Sequence, residues 1–276
     1  MSLRVGVAQV AVALGDIAAN LQKHEEYIAA ARDQGVAVLV FPELSLTGYQ
    51  LERQVPALAM QVTDPRLLAL AEKCQGIQVV CGFVEEATPG EYYNAAAWLK
   101  DGGVTAVHRK LNLPTYGSLE EGKLYTPGTA LNTQDIKDNW SALSLICADL
   151  WNPGLVYAGM LQKPDVLIAP INSAEGVVSD EFSNPHNWQT NLSYMAMTYG
   201  TPVIMANRCD TEREARFWGG SQILGARGEV LARAGDEEVL LVADIERSGI
   251  AAARFDLPTI RDANSPLISK LIAESM

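Results

Sequence analysis

Residues 36–44 read VAVLVFPEL, an unbroken apolar run that ends in a proline and a glutamate. A strand with one face in water would alternate polar and apolar residues, so this run predicts a strand covered on both faces. Comparable apolar runs occur along the chain, at residues 3–10, 77–84, 142–147, 165–170, 202–207 and 239–245. The sequence therefore predicts buried sheet as the centre of the fold.

Helical patterns separate these predicted strands. Apolar residues at helical spacing, together with capping residues and terminal glycines, predict helices at residues 17–34, 64–73, 153–162 and 187–199. Glycine-containing turns predict two hairpins, which join residues 92–99 to 104–109 and residues 217–225 to 229–232. Strands that alternate with helices indicate an α/β fold in which helix layers pack on mixed sheets.

Composition limits the class of protein and its partners. The 276 residues are 48% hydrophobic and 20% charged, which favours one folded domain over residues 1–276. A formal net charge of −12 repels phosphate backbones and argues against nucleic acid as a partner. No run of about 18 or more apolar residues is present, which argues against a membrane partner. The chain starts without a signal-peptide pattern, so we expect a cytoplasmic location and free thiols.

Metal binding is not expected. The four cysteines form no C-x-x-C pair and the three histidines are scattered along the chain. Structural zinc sites need such clustered ligands, so the sequence predicts no metal site.

Three polar residues stand at the ends of predicted strands, where α/β folds build their sites. Glu43 follows the strand at residues 36–41, Lys110 ends a hairpin strand, and Cys147 ends the strand at 142–147. Each has an ordinary alternative: a surface glutamate, a solvated lysine and a buried structural cysteine. The structural interpretation is favoured for the other cysteines, Cys74, Cys81 and Cys209.

The order Glu, Lys, Cys along the chain resembles the nitrilase superfamily of carbon–nitrogen hydrolases. The stretches FPELSLTGY at residues 41–49, RKLNLP at 109–114 and CADL at 147–150 are similar to its glutamate, lysine and cysteine motifs. Glu121, followed by YTPG at residues 125–128, resembles the second glutamate region of the family. The segment FWGGS at 217–221 is also similar to members of this group, and the resemblance covers nearly the whole chain.

The chain departs from the family pattern at some positions. Ala148 stands where the family often has an aromatic or acidic residue, and Asn112 stands where it often has histidine. The second glutamate lies in the sequence LEE at residues 119–121, which leaves Glu120 as a rival. The spacing to the downstream Pro-Gly favours Glu121. These departures bear on the substrate more than on the type of reaction.

The resemblance implies a four-layer α-β-β-α sandwich with two mixed β-sheets, without cofactor or metal. It implies that Cys147 forms a thioester with Glu43 as general base and acid. Lys110 and the N–H of Ala148 would stabilise the oxyanion, and Glu121 would hold Lys110. It also implies a homodimer or larger even homo-oligomer. A C-terminal arm from about residue 247 is a candidate for that contact, and a tail docked on its own surface is the alternative.

The predicted activity is hydrolysis of a non-peptide C–N bond, of amide or N-carbamoyl type, in a small molecule. Loops that follow the strands should line the pocket, and the candidates are Tyr49, Tyr116, Ala148, Trp151, Asn172, Ser173, Phe182 and Trp188. For the aromatic candidates an ordinary core position is the alternative. Two other activities stay open: an acyltransferase that uses the same thioester, and a glutaminase subunit of an amidotransferase.

Overall fold

The described residues of the computed structural model, 1–179 and 181–275, form two six-stranded sheets and a two-stranded hairpin. The strands are β1 (Ser2–Gln9), β2 (Val38–Val40), β3 (Gln78–Thr88), β4 (Glu91–Lys100), β5 (Gly103–Arg109), β6 (Thr133–Asp135), β7 (Ser141–Ser144), β8 (Val166–Pro170), β9 (Val203–Ala206), β10 (Thr211–Glu212), β11 (Ala215–Arg216), β12 (Gln222–Leu224), β13 (Val230–Arg233) and β14 (Val239–Glu246). The α-helices are α1 (Ile17–Asp33), α2 (Val55–Leu58), α3 (Pro65–Glu72), α4 (Pro153–Met160), α5 (Asn184–Tyr199), α6 (Arg247–Asp256) and α7 (Ser265–Glu274). Short 3-10 helices cover Glu52–Gln54, Glu121–Lys123 and Cys147–Trp151.

The two large sheets share one strand pattern. The first has the order β14-β1-β2-β3-β4-β5, and the second has the order β6-β7-β8-β9-β12-β13. In both sheets three neighbouring strands are parallel and the strands on either side of them are antiparallel. Helices connect the parallel strands, α1 from β1 to β2 and α4 from β7 to β8, so each half contains βαβ units.

The sheets pack face to face and carry helices on their outer faces. Val5 and Val40 of the first sheet share a buried cluster with Ile168 and Ile204 of the second. A second cluster joins the first sheet to α1 and α3, and a third joins the second sheet to α4 and α5. The four layers predicted from the sequence are therefore confirmed. The strands β2 and β8 are buried along their whole length, which explains why their sequences are apolar without alternation.

Two strand predictions were wrong at their ends. The strand expected at 142–147 ends at Ser144, and Cys147 begins a 3-10 helix. The strand expected at 217–225 is limited to Gln222–Leu224. Gly219 and Gly220 have φ of 65° and 64°, a left-handed conformation that cannot continue a strand.

The segment from about residue 247 shows no clear periodicity in the sequence until residues 266–274, and the structure forms α6 in its first part and α7 over the periodic part. The helix α6 packs on its own chain through buried Ile250 and Ala253, and Arg254 donates to the carbonyl oxygen of Gly200 at 3.2 Å. Within the described residues α7 has no buried side chain, and it exposes Leu267, Leu271 and Ile272. None of the helices in the described part of the chain combines the length and apolar character needed to cross a bilayer.

A buried histidine on α1 packs against the chain that follows β2 and holds it in place. His24 on α1 stacks on Phe41, with ring centroids 3.9 Å apart. Its Nδ1 lies 2.7 Å from the carbonyl oxygen of Asn20, which accepts only, so the ring's hydrogen lies on Nδ1 and Nε2 accepts from Ser45 at 2.9 Å. Burial lowers the pKa of His24 from 6.5 to about 4. The neutral ring is therefore part of the folded structure.

Protonation of His24 at acidic pH should lower the free energy of unfolding. A folded-state pKa below the unfolded value stabilises the fold above pH 6.5, and this stability is lost as the pH falls towards about 4. We expect His24 to account for a loss of about 3 kcal/mol in unfolding free energy across this window. Urea unfolding at several pH values measures it. His24→Gln should be less stable than the wild type at neutral pH but should lose less on acidification, and equal losses in both proteins contradict the assignment.

Candidate active site

Lys110 is the centre of a buried charged cluster. It follows β5 directly, and its side chain is 0% exposed. Its Nζ donates to Oε1 of Glu43 at 2.6 Å and to Oε1 of Glu121 at 2.7 Å. Its backbone N–H donates to the carbonyl oxygen of Asn94 on β4 at 2.8 Å, which fixes the end of the hairpin. Two of the three residues expected from their places at strand ends therefore meet in the fold.

Glu43 lies in the loop after β2, where the two sheets approach each other. Its backbone N–H donates to Ile171 at 3.2 Å, and the side chain of Asn172 donates to its carbonyl oxygen at 3.0 Å. Asn94 donates to its Oε1 at 2.7 Å. The other carboxylate oxygen, Oε2, is buried and has no hydrogen-bond partner among residues 1–179 and 181–275. Oε1 of Glu43 therefore accepts two hydrogen bonds, whereas Oε2 accepts none from the described residues.

The neighbouring glutamates 120 and 121 differ completely in their surroundings. Glu121 is buried, and its Oε1 accepts from the hydroxyl of Tyr49 at 2.6 Å as well as from Lys110. Glu120 is exposed and pairs with Lys123 at the surface. Of the two residues that the sequence left as rivals, Glu121 is therefore the one that contacts the lysine.

Cys147 has a backbone conformation that costs energy. It is one of the non-glycine residues with positive φ, at 44°, and it opens the 3-10 helix Cys147–Trp151. A side chain in this region costs about 1–3 kcal/mol and is held there only by its surroundings. The N–H of Ala148 lies in the first turn of the helix, where backbone donors have no partner within the helix. No acceptor for this N–H is found among residues 1–179 and 181–275, and it directly follows the residue that carries the sulfur.

Asp149, which the sequence analysis missed as a functional residue, holds this strained turn. Its carboxylate accepts from the backbone N–H groups of Ile146, Leu111 and Asn112 at 3.0, 2.9 and 2.7 Å. It also lies 3.1 Å from Nε2 of His108. The carboxylate thus ties the cysteine turn to the chain after Lys110. The sequence signal was an aspartate among the apolar residues of CADLW at 147–151, which marks the position as unusual but does not name its partners.

Asn94 was also missed in the sequence. It is a single polar residue in the apolar run of β4 and is 0% exposed. Its amide nitrogen donates to Glu43 and lies 3.4 Å from Oε2 of Glu121. Its amide group therefore contacts both carboxylates that pair with the lysine.

The charges around Cys147 decide its protonation state. Burial and the carboxylate of Glu43 raise the pKa of the thiol well above its ordinary value, while Lys110 and the backbone of Asn172 act in the opposite direction and lower it. Burial alone would lower the pKa of Lys110, but Glu121 and Glu43 outweigh this and raise it well above its ordinary value. At neutral pH the lysine is charged and the thiol keeps its proton. Attack by sulfur therefore needs a base in place.

Cys147 opens on a small cavity of about 30 Å³. All the residues named in advance as pocket lining, apart from Phe182, lie on its wall together with Glu121: Tyr49, Tyr116, Ala148, Trp151, Asn172, Ser173 and Trp188. Phe182 packs on the edge of Trp151 instead, with centroids 5.8 Å apart. Tyr49, Glu121 and Asn172 also line a neighbouring cavity of about 790 Å³. Within the described part of the chain, no group of three His, Cys, Asp or Glu residues is placed to hold a metal ion.

A four-layer sandwich with a buried Glu–Lys–Glu cluster beside a strained cysteine defines a class of thiol enzymes that act on carbon–nitrogen bonds. The profile of the carbon-nitrogen hydrolase family matches residues 4–255, and the chain belongs to this family. The superfamily expected from the three sequence motifs is confirmed.

Comparison with known proteins gives relatives of different lengths. The glutamine-dependent NAD(+) synthetase of Thermotoga maritima is 34% identical over 246 residues, which are 87% of this chain and 42% of the synthetase. The N-carbamoylputrescine amidase of Solanum tuberosum is 26% identical over 276 residues, covering 93% and 91% of the two chains. The crystal structure of an amidase from Nesterenkonia sp. is similar with a TM-score of 0.82 and 25% identity, over 98% and 96% of the chains. This chain spans 42–43% of the length of the NAD(+) synthetases that it matches.

Gly82 on β3 allows the Glu43 loop to approach the sheet. A Cβ atom at this position would lie 2.0 Å from the backbone nitrogen of Leu44 and 2.6 Å from the carbonyl carbon of Glu43. We expect Gly82→Ala to displace the loop and to lower the unfolding free energy by about 1–3 kcal/mol. Gly249→Ala on α6 is the control, because nothing lies within 4 Å of its Cβ position, and it should be neutral or stabilising. Urea unfolding compares them, and equal stabilities contradict this prediction.

Proposed function

We propose that this protein is an amidohydrolase that cleaves a non-peptide C–N bond, of amide or N-carbamoyl type, through a thioester on Cys147. One observation carries the proposal. Oε2 of Glu43 is buried without a partner in the described residues, although Oε1 of the same carboxylate accepts from Lys110 and Asn94. Leaving a buried carboxylate oxygen unpaired is costly, and such exceptions need an explanation in the chemistry of the site. A base that waits for the proton of the thiol explains it.

In the first half of the reaction, Glu43 takes the thiol proton while the sulfur of Cys147 attacks the carbonyl carbon. The carbonyl oxygen becomes negative and needs donors. Within the described structure Lys110 uses two of its three N–H groups on carboxylates, so the third is available for this oxygen. The N–H of Ala148 is the second donor, and one such donor is typically worth about 3 kcal/mol of the barrier. Glu43 then passes the proton to the leaving nitrogen.

In the second half, water attacks the thioester and Glu43 acts again as base. The water proton goes to Glu43 and then to the departing sulfur, which restores the thiol. The cavity of about 790 Å³ shares lining residues with the cavity at Cys147 and offers water a path to it. An amide and water thus give a carboxylic acid and ammonia or an amine.

The choice of an amide or N-carbamoyl substrate is supported by the similarity to the N-carbamoylputrescine amidase, which extends over 93% of this chain and 91% of that enzyme. The amidase from Nesterenkonia sp. is matched over nearly its whole length as well. Both similarities include the region of the chain that carries the cluster and the cysteine.

A glutaminase role is the second candidate. It is favoured by the 34% identity with the NAD(+) synthetase of Thermotoga maritima, which is confined to 42% of that protein. In this case glutamine would be the substrate and a synthetase would receive the ammonia. Ammonia release from glutamine, ureido acids and simple primary amides separates the two functions. A strong preference for glutamine supports the glutaminase, and turnover of the other amides supports the first proposal.

Removing the thiol should stop the reaction without unfolding the protein. We expect Cys147→Ala to abolish ammonia release and to prevent formation of an acyl adduct, because Cys147 supplies the only thiol among the described residues that line the small cavity. Mass spectrometry of the protein mixed with substrate detects the adduct. Cys209→Ala is the control, since Cys209 is buried away from both cavities. Full activity of the Cys147 variant excludes the thioester route.

The two adjacent glutamates provide a matched test of the cluster. Glu121→Gln keeps the size of the side chain but removes a carboxylate from Lys110, and hydrogen bonds to charged groups contribute about 1.5–3 kcal/mol. We therefore expect a fall of about tenfold or more in the rate at saturating substrate. Glu120→Gln changes a carboxylate at the rim of the large cavity that pairs with Lys123 and not with Lys110, so it should leave the rate at saturating substrate unchanged. Equal rates for the two variants contradict the role given to Glu121.

A further inference from the structure

The hydroxyl of Ser173 is placed between two tryptophans. The indole N–H of Trp188 donates to its oxygen at 3.0 Å, and the indole N–H of Trp218 donates to the same oxygen at 3.1 Å. A serine oxygen has two lone pairs and one hydrogen, so both acceptor positions are filled. No acceptor for the remaining hydrogen is found in residues 1–179 and 181–275. The hydroxyl can therefore donate but cannot accept.

The surrounding structure fixes this arrangement. The side chain of Asn207 accepts from the backbone N–H of Ser173 at 3.0 Å and donates to its carbonyl oxygen at 3.2 Å. Trp218 is 8% exposed, and its ring fits only because position 220 is glycine. A Cβ at Gly220 would lie 2.2 Å from the ring. The motif FWGGS, noted in the sequence without a role, thus holds one of the two donors.

Ser173 and Cys147 line the same small cavity. The residue that precedes Ser173, Asn172, lies on the wall of the same small cavity. A substrate bound to Cys147 therefore places its atoms near a hydroxyl that offers only a hydrogen.

We propose that Ser173 determines substrate specificity as a fixed hydrogen-bond donor. It selects amides whose acyl part carries an acceptor, such as a carboxylate or carbonyl oxygen, over amides that carry an ammonium or N–H group there. This inference rests on the proposed amidohydrolase function. A donor-bearing group facing this hydroxyl would meet a hydrogen instead of a lone pair, and both groups would remain unpaired, which is how buried polar sites reject wrong substrates.

Three amides of equal length test the proposal: succinamate with a carboxylate end, butyramide with a methyl end and 3-aminopropanamide with an ammonium end. Ratios of kcat/KM are compared between variants. The Glu43–Lys110–Glu121 cluster is the same in every variant, so its effect on charged substrates cancels in these comparisons. Ser173→Ala should lower the ratio of succinamate to butyramide by about tenfold, the effect of one hydrogen bond to a charged group. Ser173→Thr keeps the hydroxyl and should retain most of this ratio.

Trp218→Phe should instead favour the amide that carries a hydrogen-bond donor. It keeps an aromatic ring but removes one indole donor, which frees a lone pair on Ser173. The ratio of 3-aminopropanamide to butyramide should then rise severalfold, whereas simple damage to the pocket would lower the turnover of all three amides together.

The outcomes separate this inference from the function on which it rests. Wild-type turnover of the amides with unchanged ratios in Ser173→Ala and Trp218→Phe overturns the role of Ser173 and leaves the hydrolase function standing. Absence of both turnover and an adduct on Cys147 with all three amides overturns the function and this inference together. The two predicted ratio changes support the proposal.

Discussion

A lysine ammonium without any contact with solvent lies between two carboxylates, and the arrangement of the site depends on it. Removing an ammonium from water costs several kcal/mol, and only well-placed partners offset this cost. Glu43 and Glu121 provide these partners at 2.6 and 2.7 Å, and Asn94 and Tyr49 provide hydrogen bonds to the carboxylates. Because each member needs the others, the loops that carry them are fixed relative to one another.

The repeated strand pattern explains how the fold brings these loops together. Glu43 follows β2 in the first sheet, and Asn172 follows β8, which has the equivalent central position in the second. The side chain of Asn172 donates to the carbonyl oxygen of Glu43, so the carboxyl ends of the central strands meet across the two sheets. Cys147 follows β7, the neighbour of β8, and thereby reaches the same place. Ligand sites of α/β folds commonly lie at the carboxyl ends of strands, and here two such edges share one site.

The sequence predicted the parts of this arrangement that follow from strand ends and motif order. Unbroken apolar runs located the buried strands, and Glu43, Lys110 and Cys147 stood out as polar residues at or near their ends. Asn94 and Asp149 were missed because their function depends on neighbours distant in sequence, and a single buried polar residue does not reveal its partner. The helix α6 was missed for a related reason. Its buried face consists of Ile250 and Ala253, too few to show a helical period.

The charge balance of the cluster accounts for a thiol that keeps its proton at rest. With both carboxylates ionised, Glu43, Glu121 and Lys110 together carry a net charge of −1, and a thiolate at Cys147 would make it −2. In the proposed reaction Glu43 takes the proton as sulfur attacks, so the cluster becomes neutral and the new negative charge appears on the substrate oxygen. The total charge of the buried region stays the same throughout, which avoids the cost of an unpaired buried charge.

This balance requires that the sulfur stay within reach of Glu43 while the charge moves. The left-handed backbone of Cys147 and the Asp149 carboxylate that accepts from Ile146 fix the position of the cysteine turn. We infer that the strain of about 1–3 kcal/mol in the turn is the cost of holding a protonated nucleophile in the same buried site as Glu43 and Lys110.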